Sequence, residues 1–390
     1  MRALGLMSGT SLDGIDAALV EIAPRGAGYA LDVVRFTTEP FDAAFREALL
    51  AALPPNAPPP AVGAHLDREL GHRFAAAALA AAGGEPVDYV ASHGLTFAHD
   101  GAASETMQIG DPYLVRDALG ASVVFDFRRA DCAAGGNGAP LVPYVDALLF
   151  AASDADVVAL NLGGIANVTV LPRGAPASAA SAWDTGPANM LIDAFVRRRT
   201  NGACAFDRDG AFAARGTADM RVVADLAARE MFYLALPPPK STGRERFGEQ
   251  LLEHQADLFA DLSLEDGCAT LCAFTVATIC DSLDWYGPAS ARVVASGGGV
   301  RNPVLVGMLA ERLARSGSTL ALSSAYGIDP DAKEAIAFAV LGYETLRERP
   351  GNLPSATGAA RGVVLGAVAP HGLAGLLAKM RAECAANGAG

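Results

Sequence analysis

Lysine is almost missing from this sequence: Lys240, Lys333 and Lys379 are the only three in 390 residues. Against 30 lysines and arginines stand 43 aspartates and glutamates, a formal charge of −13. Binding along a phosphate backbone needs a broad basic surface, so the charge argues against nucleic acid as a partner. A small anionic ligand is not excluded, because it needs only a local site. Cysteine is sparse as well. The six are scattered, no CxxC pair occurs and no histidine cluster accompanies them, which argues against a zinc site. Cys268, Cys272 and Cys280 share helical spacing and are expected to face a core, in keeping with a reducing compartment. No stretch approaches the ~20 strongly apolar residues of a membrane span. The hydrophobic fraction of 51% owes much to alanine, and the longest alanine-rich run, 74–82, reads as a packed helix. Met1-Arg2 leads straight into an apolar strand, without the basic region and long apolar core of a secretory signal. A cytoplasmic protein with no membrane partner is the expectation.

Several catalytic signatures are also absent. Lys240 precedes Ser241-Thr242 but lacks the glycine spacing of a Walker A loop. No G-x-G-x-x-G follows a strand, which argues against a nicotinamide cofactor. G-x-S-x-G, H-E-x-x-H and a convincing Ser/His/Asp set are missing too.

What is present is a series of glycine turns between apolar runs, in a chain long enough for two or three domains. Residues 3–7 and 15–22 read as strands flanking Gly9-Thr10-Ser11-Leu12-Asp13-Gly14. Glycine lets backbone approach a ligand, and such a turn presents N–H groups and hydroxyls to an anion, phosphate above all. An ordinary β-hairpin is the plain alternative. A third strand over 31–36 completes an antiparallel meander. Asp42 then caps a helix, and a proline-rich connector over 54–60 precedes an alanine-rich helix to residue 82. Residues 87–91 read as a buried parallel strand ending at Ser92-His93-Gly94. Strand ends of this kind line ligand crevices, which makes His93 a site candidate. The strand over 121–127 runs into Arg128-Arg129, a pair suited to an anionic or polyhydroxylated ligand or to surface ion pairs.

Gly135-Gly136-Asn137-Gly138-Ala139-Pro140 is the expected domain junction. It places one lobe at 1–135 and a second at 136–390, with the last helix able to pack back on the first. The opening pattern then repeats: a strand over 157–162, a Gly163-Gly164 turn and a strand over 165–171. Two such hairpins, each opening an α/β half, point to a duplicated fold. Asp184 is expected at a strand-to-helix turn, as a helix cap or as a base facing a cleft. A rigid polar loop follows over 237–245. A strand ending in Ser296-Gly297-Gly298-Gly299 precedes a helix near Asn302, a third ligand-cradling element. Glu334 opens a helix to about Arg347, as a dipole partner or a site residue. Phosphoryl transfer fits this inventory, since it needs amides around the phosphates, Mg²⁺ and a base at the acceptor.

The segments Met7-Ser8-Gly9-Thr10-Ser11-Leu12-Asp13-Gly14-Ile15-Asp16, Asn161-Leu162-Gly163-Gly164-Ile165-Ala166-Asn167 and Asp184-Thr185-Gly186-Pro187 resemble the anhydro-N-acetylmuramic acid kinase family. So do Pro239-Lys240-Ser241-Thr242-Gly243-Arg244-Glu245 and Ser296-Gly297-Gly298-Gly299, and the resemblance runs essentially end to end. It implies an α/β, bilobal, actin-like or ribonuclease H-like duplicated fold with a central cleft. It also implies a cytoplasmic kinase of peptidoglycan recycling and amino-sugar catabolism. In that reaction 1,6-anhydro-N-acetylmuramate, water and ATP give N-acetylmuramate 6-phosphate and ADP. By the same resemblance Asp184 is the general base for the water. Gly9, Thr10, Ser11, Leu12, Asp13, Gly14, Ile15 and Asp16 bind ATP, with Gly163, Gly164, Gly297, Gly298 and Gly299. Arg128, Asp184, Glu334 and His93 contact the sugar, and Asp13 or Asp16 holds Mg²⁺ through water. The first lobe is then the sugar and phosphate side and the second the nucleotide side, with a homodimer left open. Met7 stands where the wider superfamily has aspartate, Leu95 and Asn137 where the family has glutamine, and Ala188 where it has glycine. Two other readings compete: a non-catalytic nucleotide switch, which has no need of a base at position 184, and a kinase for an ordinary sugar hydroxyl, which does not consume water.

Overall fold

The computed structural model describes residues 1–9, 12–25, 28–54, 56 and 58–386. Among these the strands are β1 (Arg2–Ser8), β2 (Gly14–Arg25), β3 (Gly28–Pro40), β4 (Tyr89–Asp100), β5 (Glu105–Ile109), β6 (Ser122–Phe125), β7 (Val157–Leu162), β8 (Ile165–Leu171), β9 (Ser181–Pro187), β10 (Arg292–Ser296), β11 (Thr319–Leu322) and β12 (Ala367–Ala369). The chain forms two compact units, Met1–Leu149 with Ala332–Gly390, and Phe150–Asp331.

In the first unit the sheet order is β12-β6-β4-β1-β2-β3, with β5 paired to β4. β1, β2 and β3 form the expected antiparallel meander, and β4 lies parallel to both β1 and β6. In the second unit the order is β11-β10-β7-β8-β9. Again three successive antiparallel strands are followed by parallel neighbours, β10 on β7 and β11 on β10. Both sheets thus repeat one plan, and the fold is the duplicated ribonuclease H-like α/β arrangement expected.

The strand sequences follow from burial on both faces. Along β1, Leu4 and Leu6 point to one side and join Leu66, Leu70 and Phe74 of the Pro60–Ala82 helix in a common core. Gly5 points to the other side, where the carbonyl of Ala335 lies so close that any Cβ would collide with it. The absent side chain lets the Lys333–Leu346 helix lie directly on the sheet, and the Tyr89 hydroxyl donates to its Ala339 carbonyl at 2.8 Å. Helix ends are set locally. Asp42 accepts from the Phe45 amide, Ser263 from Asp266 and Asn302 from Val304 and Leu305, each satisfying an amide of a first helical turn.

The Leu264–Tyr286 helix corrects the reading that no stretch approaches a membrane span. By length and composition it qualifies, yet 83% of its apolar window is buried. It is the core helix of the second unit, packed with Phe195, Leu226 and Leu305 and tied to β9 by the Trp183 indole N–H on Ser282 Oγ at 2.8 Å. Its cysteines face inward as expected, and burial pushes the Cys272 and Cys280 thiols up to about 12.

Two boundaries differ from expectation. Gly135–Pro140 is not a junction, because its backbone is fixed inside the first unit. Gly136 N–H donates to the Asp131 carbonyl, Gly138 N–H to the Asp131 carboxylate and Asn137 N–H to the Thr357 carbonyl. The first unit therefore runs past residue 135 to Leu149, and everything from Ala332 onward returns to it, not only the last helix. β4 does not stop at Gly94 either. Gly94 adopts φ +72°, and the strand continues in a hairpin with β5 to Asp100.

Candidate active site

In the first unit β1 and β2 meet at the turn from Gly9 to Asp13. The Ser8 hydroxyl donates to the Gly14 carbonyl at 2.8 Å, and Leu12 N–H donates to the Gly9 carbonyl at 3.2 Å. Leu12 has φ +54° and a fully buried side chain. Positive φ costs a non-glycine residue roughly 1–2 kcal/mol. Burying a leucine returns about 1.5–3 kcal/mol, so the core holds the turn in this shape. Ile15 is buried in the same core, and only the backbone of Leu12 and Ile15 is left for a ligand. Thr10 and Ser11 lie outside the described residues. Asp13 is exposed, and Asp16 accepts from Thr38 Oγ1 at 2.6 Å. Among the described residues no group of three or more His, Cys, Asp or Glu is placed to hold a metal. One or two carboxylates completed by phosphate and water are the usual Mg²⁺ environment, and the Asp13/Asp16 pair fits that description. Met7 pairs across β1 and β2 with Asp16, so a carboxylate stands on the neighbouring strand beside Met7.

Arg128 follows β6 and donates through Nε to His93 Nε2 and through Nη1 to the Gly138 carbonyl, both at 2.9 Å. Burial lowers the affinity of Arg128 for its proton, while the Glu334 carboxylate opposes this. Burial pushes the Glu334 carboxyl up; Lys333 and Arg128 pull it back, and Asp146 and Asp13 push it further. Charges and burial, not hydrogen bonds, set the state of the Glu334 carboxyl among the described residues. Its neighbour Lys333 makes a buried ion pair with Asp146 at 3.1 Å. The first unit thus gathers Arg128, Glu334 and the Asp13 turn into one charged neighbourhood. His93 is inside it but only 2% exposed, with its ring nitrogens facing the Gly94 carbonyl and Arg128 Nε.

In the second unit the Gly163 and Gly164 carbonyls accept from the amides of Ala188, Asn189 and Met190, at the start of the Asn189–Arg199 helix. The turn therefore caps that helix. Ser296 lies in register with Asn161 on the parallel pair β10 and β7. A Cβ on Gly297, which has φ +84°, would stand 2.6 Å from Asn161 Oδ1 and 2.9 Å from the Leu162 carbonyl. A Cβ on Gly299 would stand 2.7 Å from Leu162 Cβ. The two glycine turns are thus brought together at the carboxyl ends of adjacent strands, with Asn161 and Asn189 between them. Asn161 opens one of the segments that resemble the family, whereas Asn189 carries no such signal in the sequence.

Asp184 is not at a strand-to-helix turn. It lies within β9, opposite Asn167, and the helix begins five residues later. Its carboxylate accepts from Thr242 N–H at 2.8 Å and Ser241 Oγ at 3.1 Å. Its backbone N–H donates to the Lys240 carbonyl, and the Tyr233 hydroxyl donates to its own carbonyl. Lys240 is buried behind this clamp, with Nζ donating to the Leu234 carbonyl at 2.7 Å over the Tyr233 ring. Burial brings its pKa down to about 8, and the Asp184 charge opposes that shift. The helix-cap reading of Asp184 is thereby replaced: its partners come from the polar loop 240–242. A lysine-serine-threonine run in a proline-rich loop, using one of only three lysines, was the available signal. Of the other departures, Leu95 is core, opposite Ile109, Asn137 is exposed, and Ala188 is fully buried at the helix start.

The model of the family described as anhydro-N-acetylmuramic acid kinase matches residues 1–371. A relative so named from Streptomyces coelicolor is 43% identical over 385 residues, covering 95% of this chain and 94% of that one. Another from Xanthomonas axonopodis pv. citri is 45% identical over 376 residues, covering 94% and 97%. Among solved structures, a ROK family glucokinase from Streptomyces griseus in complex with glucose and AMPPNP aligns at TM-score 0.35 and 14% identity, over 87% of this chain and 98% of that one. With that family model spanning nearly the whole sequence, and with relatives of such identity and coverage, the chain belongs to the anhydro-N-acetylmuramic acid kinase family.

Proposed function

We propose that this protein is an ATP-dependent kinase that opens 1,6-anhydro-N-acetylmuramate with water and phosphorylates O6. The products are N-acetylmuramate 6-phosphate and ADP, which places the enzyme in the cytoplasmic reuse of peptidoglycan sugars. The observation that carries the reading is Asp184: a strand carboxylate fixed by Ser241 and Thr242, in a chain that matches the kinase family over residues 1–371. Two hydrogen bonds to one oxygen hold the carboxylate in a single orientation, as a base must be held. Asp184 takes a proton from water as the water oxygen bonds to C1. The C1–O6 bond breaks, and the electron pair released on O6 forms the new bond to the γ-phosphorus as ADP leaves. Opening by water parallels an inverting glycosidase, with phosphoryl transfer in place of the general acid.

In this reading the first unit is the sugar side. Arg128 and Glu334 contact the sugar, and the turn from Gly9 to Asp16, with Thr10 and Ser11, meets the phosphates. Gly163, Gly164, Gly297, Gly298 and Gly299 of the second unit hold the nucleotide, with Asn161 and Asn189 shaping the turns. Asp13 or Asp16 would hold Mg²⁺ through water, and the ion would supply charge neutralisation at the transferred phosphoryl group. A homodimer is compatible with this reading. The test is incubation with ATP, Mg²⁺ and the anhydro sugar, followed by mass spectrometry. Formation of the 6-phosphate supports the proposal, and no product at micromolar enzyme sinks it.

A further inference from the structure

We infer that His93 is a positioning residue whose Nε2 lone pair fixes the Arg128 guanidinium for the sugar. The inference rests on the reading of Arg128 as a sugar contact and goes beyond it. Two partners determine the state of the ring. Nδ1 lies 2.9 Å from the Gly94 carbonyl, which only accepts, so Nδ1 carries the proton. Nε2 lies 2.9 Å from Arg128 Nε, which only donates, so Nε2 is a bare acceptor. The imidazole is thus neutral and in one tautomer. Burial, and then the Arg128 charge, hold it well below the ordinary histidine range. A protonated ring would set N–H against N–H and cation beside cation.

The consequence lies on the arginine. An arginine side chain has many rotamers, and each fixed donor removes some of that freedom before a ligand arrives. Here Nε is held by His93 and Nη1 by the Gly138 carbonyl, while Nη2 has no partner among the described residues. Nη1 keeps a second N–H and Nη2 keeps both, so the anchored guanidinium still has donors on both nitrogens for a carboxylate or a pair of oxygens. The His93 ring also packs 4.5 Å from Phe338, on the Lys333–Leu346 helix that carries Glu334. One imidazole thereby ties β4, Arg128 and the Glu334 helix into a fixed relation.

The test separates acceptor from bulk. In His93→Gln the amide oxygen reaches the place of Nε2, whereas in His93→Asn the shorter amide reaches only the place of Nδ1. His93→Asn is expected to raise the KM for the anhydro sugar about 10- to 100-fold, the loss of a hydrogen bond to a charged group. The KM for ATP stays unchanged, and His93→Gln stays within about threefold of wild type. In an Arg128→Ala background, His93→Asn adds nothing further, because the two act as one unit. Equal damage from Gln and Asn, a joint rise in both KM values or independent effects in the double variant would overturn the inference. A second readout needs no substrate: the Nε–H resonance of Arg128, assigned with Arg128→Lys. It is expected to be protected from exchange in wild type and His93→Gln, and lost in His93→Asn. An unprotected wild-type resonance refutes the positioning role and leaves the kinase reading untouched. A protected resonance in a protein that makes no 6-phosphate refutes the kinase reading alone.

Discussion

Replacing Asp131 by alanine tests how the first unit is held together. Asp131 is fully buried and accepts from three donors: Gly138 N–H at 2.8 Å, Asn352 Nδ2 at 2.6 Å and Thr357 Oγ1 at 2.7 Å. Two of those donors belong to the returning C-terminal segment, and the third sits beside the carbonyl that anchors Arg128. Hydrogen bonds to a charged group contribute about 1.5–3 kcal/mol each, so the gross loss is roughly 5–9 kcal/mol. Removing the buried charge itself recovers part of this. The net destabilisation is therefore about 3–5 kcal/mol, the usual effect of deleting one partner from a buried charged network. For a unit of this size that lowers Tm by about 6–20 °C. Asp131→Asn keeps an acceptor for Asn352 and Thr357 but turns an N–H donor toward Gly138, so its loss falls between wild type and alanine. Calorimetry and urea unfolding of the three proteins measure the series. An Asp131→Ala variant within about 1 kcal/mol of wild type would refute the reasoning, because it would mean the C-terminal segment is held by something else.

Three further outcomes are expected. Burial raises Asp193 to about 7, with Arg197 partly opposing, so the folded chain binds this proton more tightly than the unfolded chain and stability falls as pH rises from about 4 toward 7. Asp193→Asn should therefore raise Tm more at pH 8 than at pH 5, and equal shifts at both would contradict the assignment. Gly297→Ala forces a side chain into a positive-φ position 2.6 Å from Asn161 Oδ1 and should raise the KM for ATP by about tenfold or more. An unchanged KM for ATP removes this turn from nucleotide binding. Asp184→Asn keeps an acceptor for the Thr242 amide but removes the proposed base, so kcat should drop about 10²–10⁴-fold with nucleotide binding retained. A near-native kcat places the base elsewhere.

The sequence is most legible where the signal is local. Strands 157–162 and 165–171 stand where their apolar runs end at Gly163-Gly164, and the Asp42 cap is visible directly before the helix whose Phe45 amide it binds, three residues on. Readings failed where a distant partner decides. Gly94 looks like a strand end, but pairing with β5 carries the strand on to Asp100. Gly135–Pro140 looks like a linker, but Asp131 binds Asn352 and Thr357, more than 200 residues away. Asp184 looks like a helix cap, but its partners Ser241 and Thr242 lie 57 and 58 residues further on. Composition and periodicity do not encode such contacts, whereas glycine turns flanked by apolar strands do announce themselves.

The most direct test of the central claim is the reaction run in oxygen-18 water with ATP, Mg²⁺ and 1,6-anhydro-N-acetylmuramate, quenched early. The account predicts N-acetylmuramate 6-phosphate with one heavy oxygen on C1 and none in the phosphate, because Asp184 directs water to the anomeric carbon while O6 takes the phosphoryl group. A phosphorylated sugar that keeps its anhydro ring, or a heavy oxygen found in the phosphate, would contradict it.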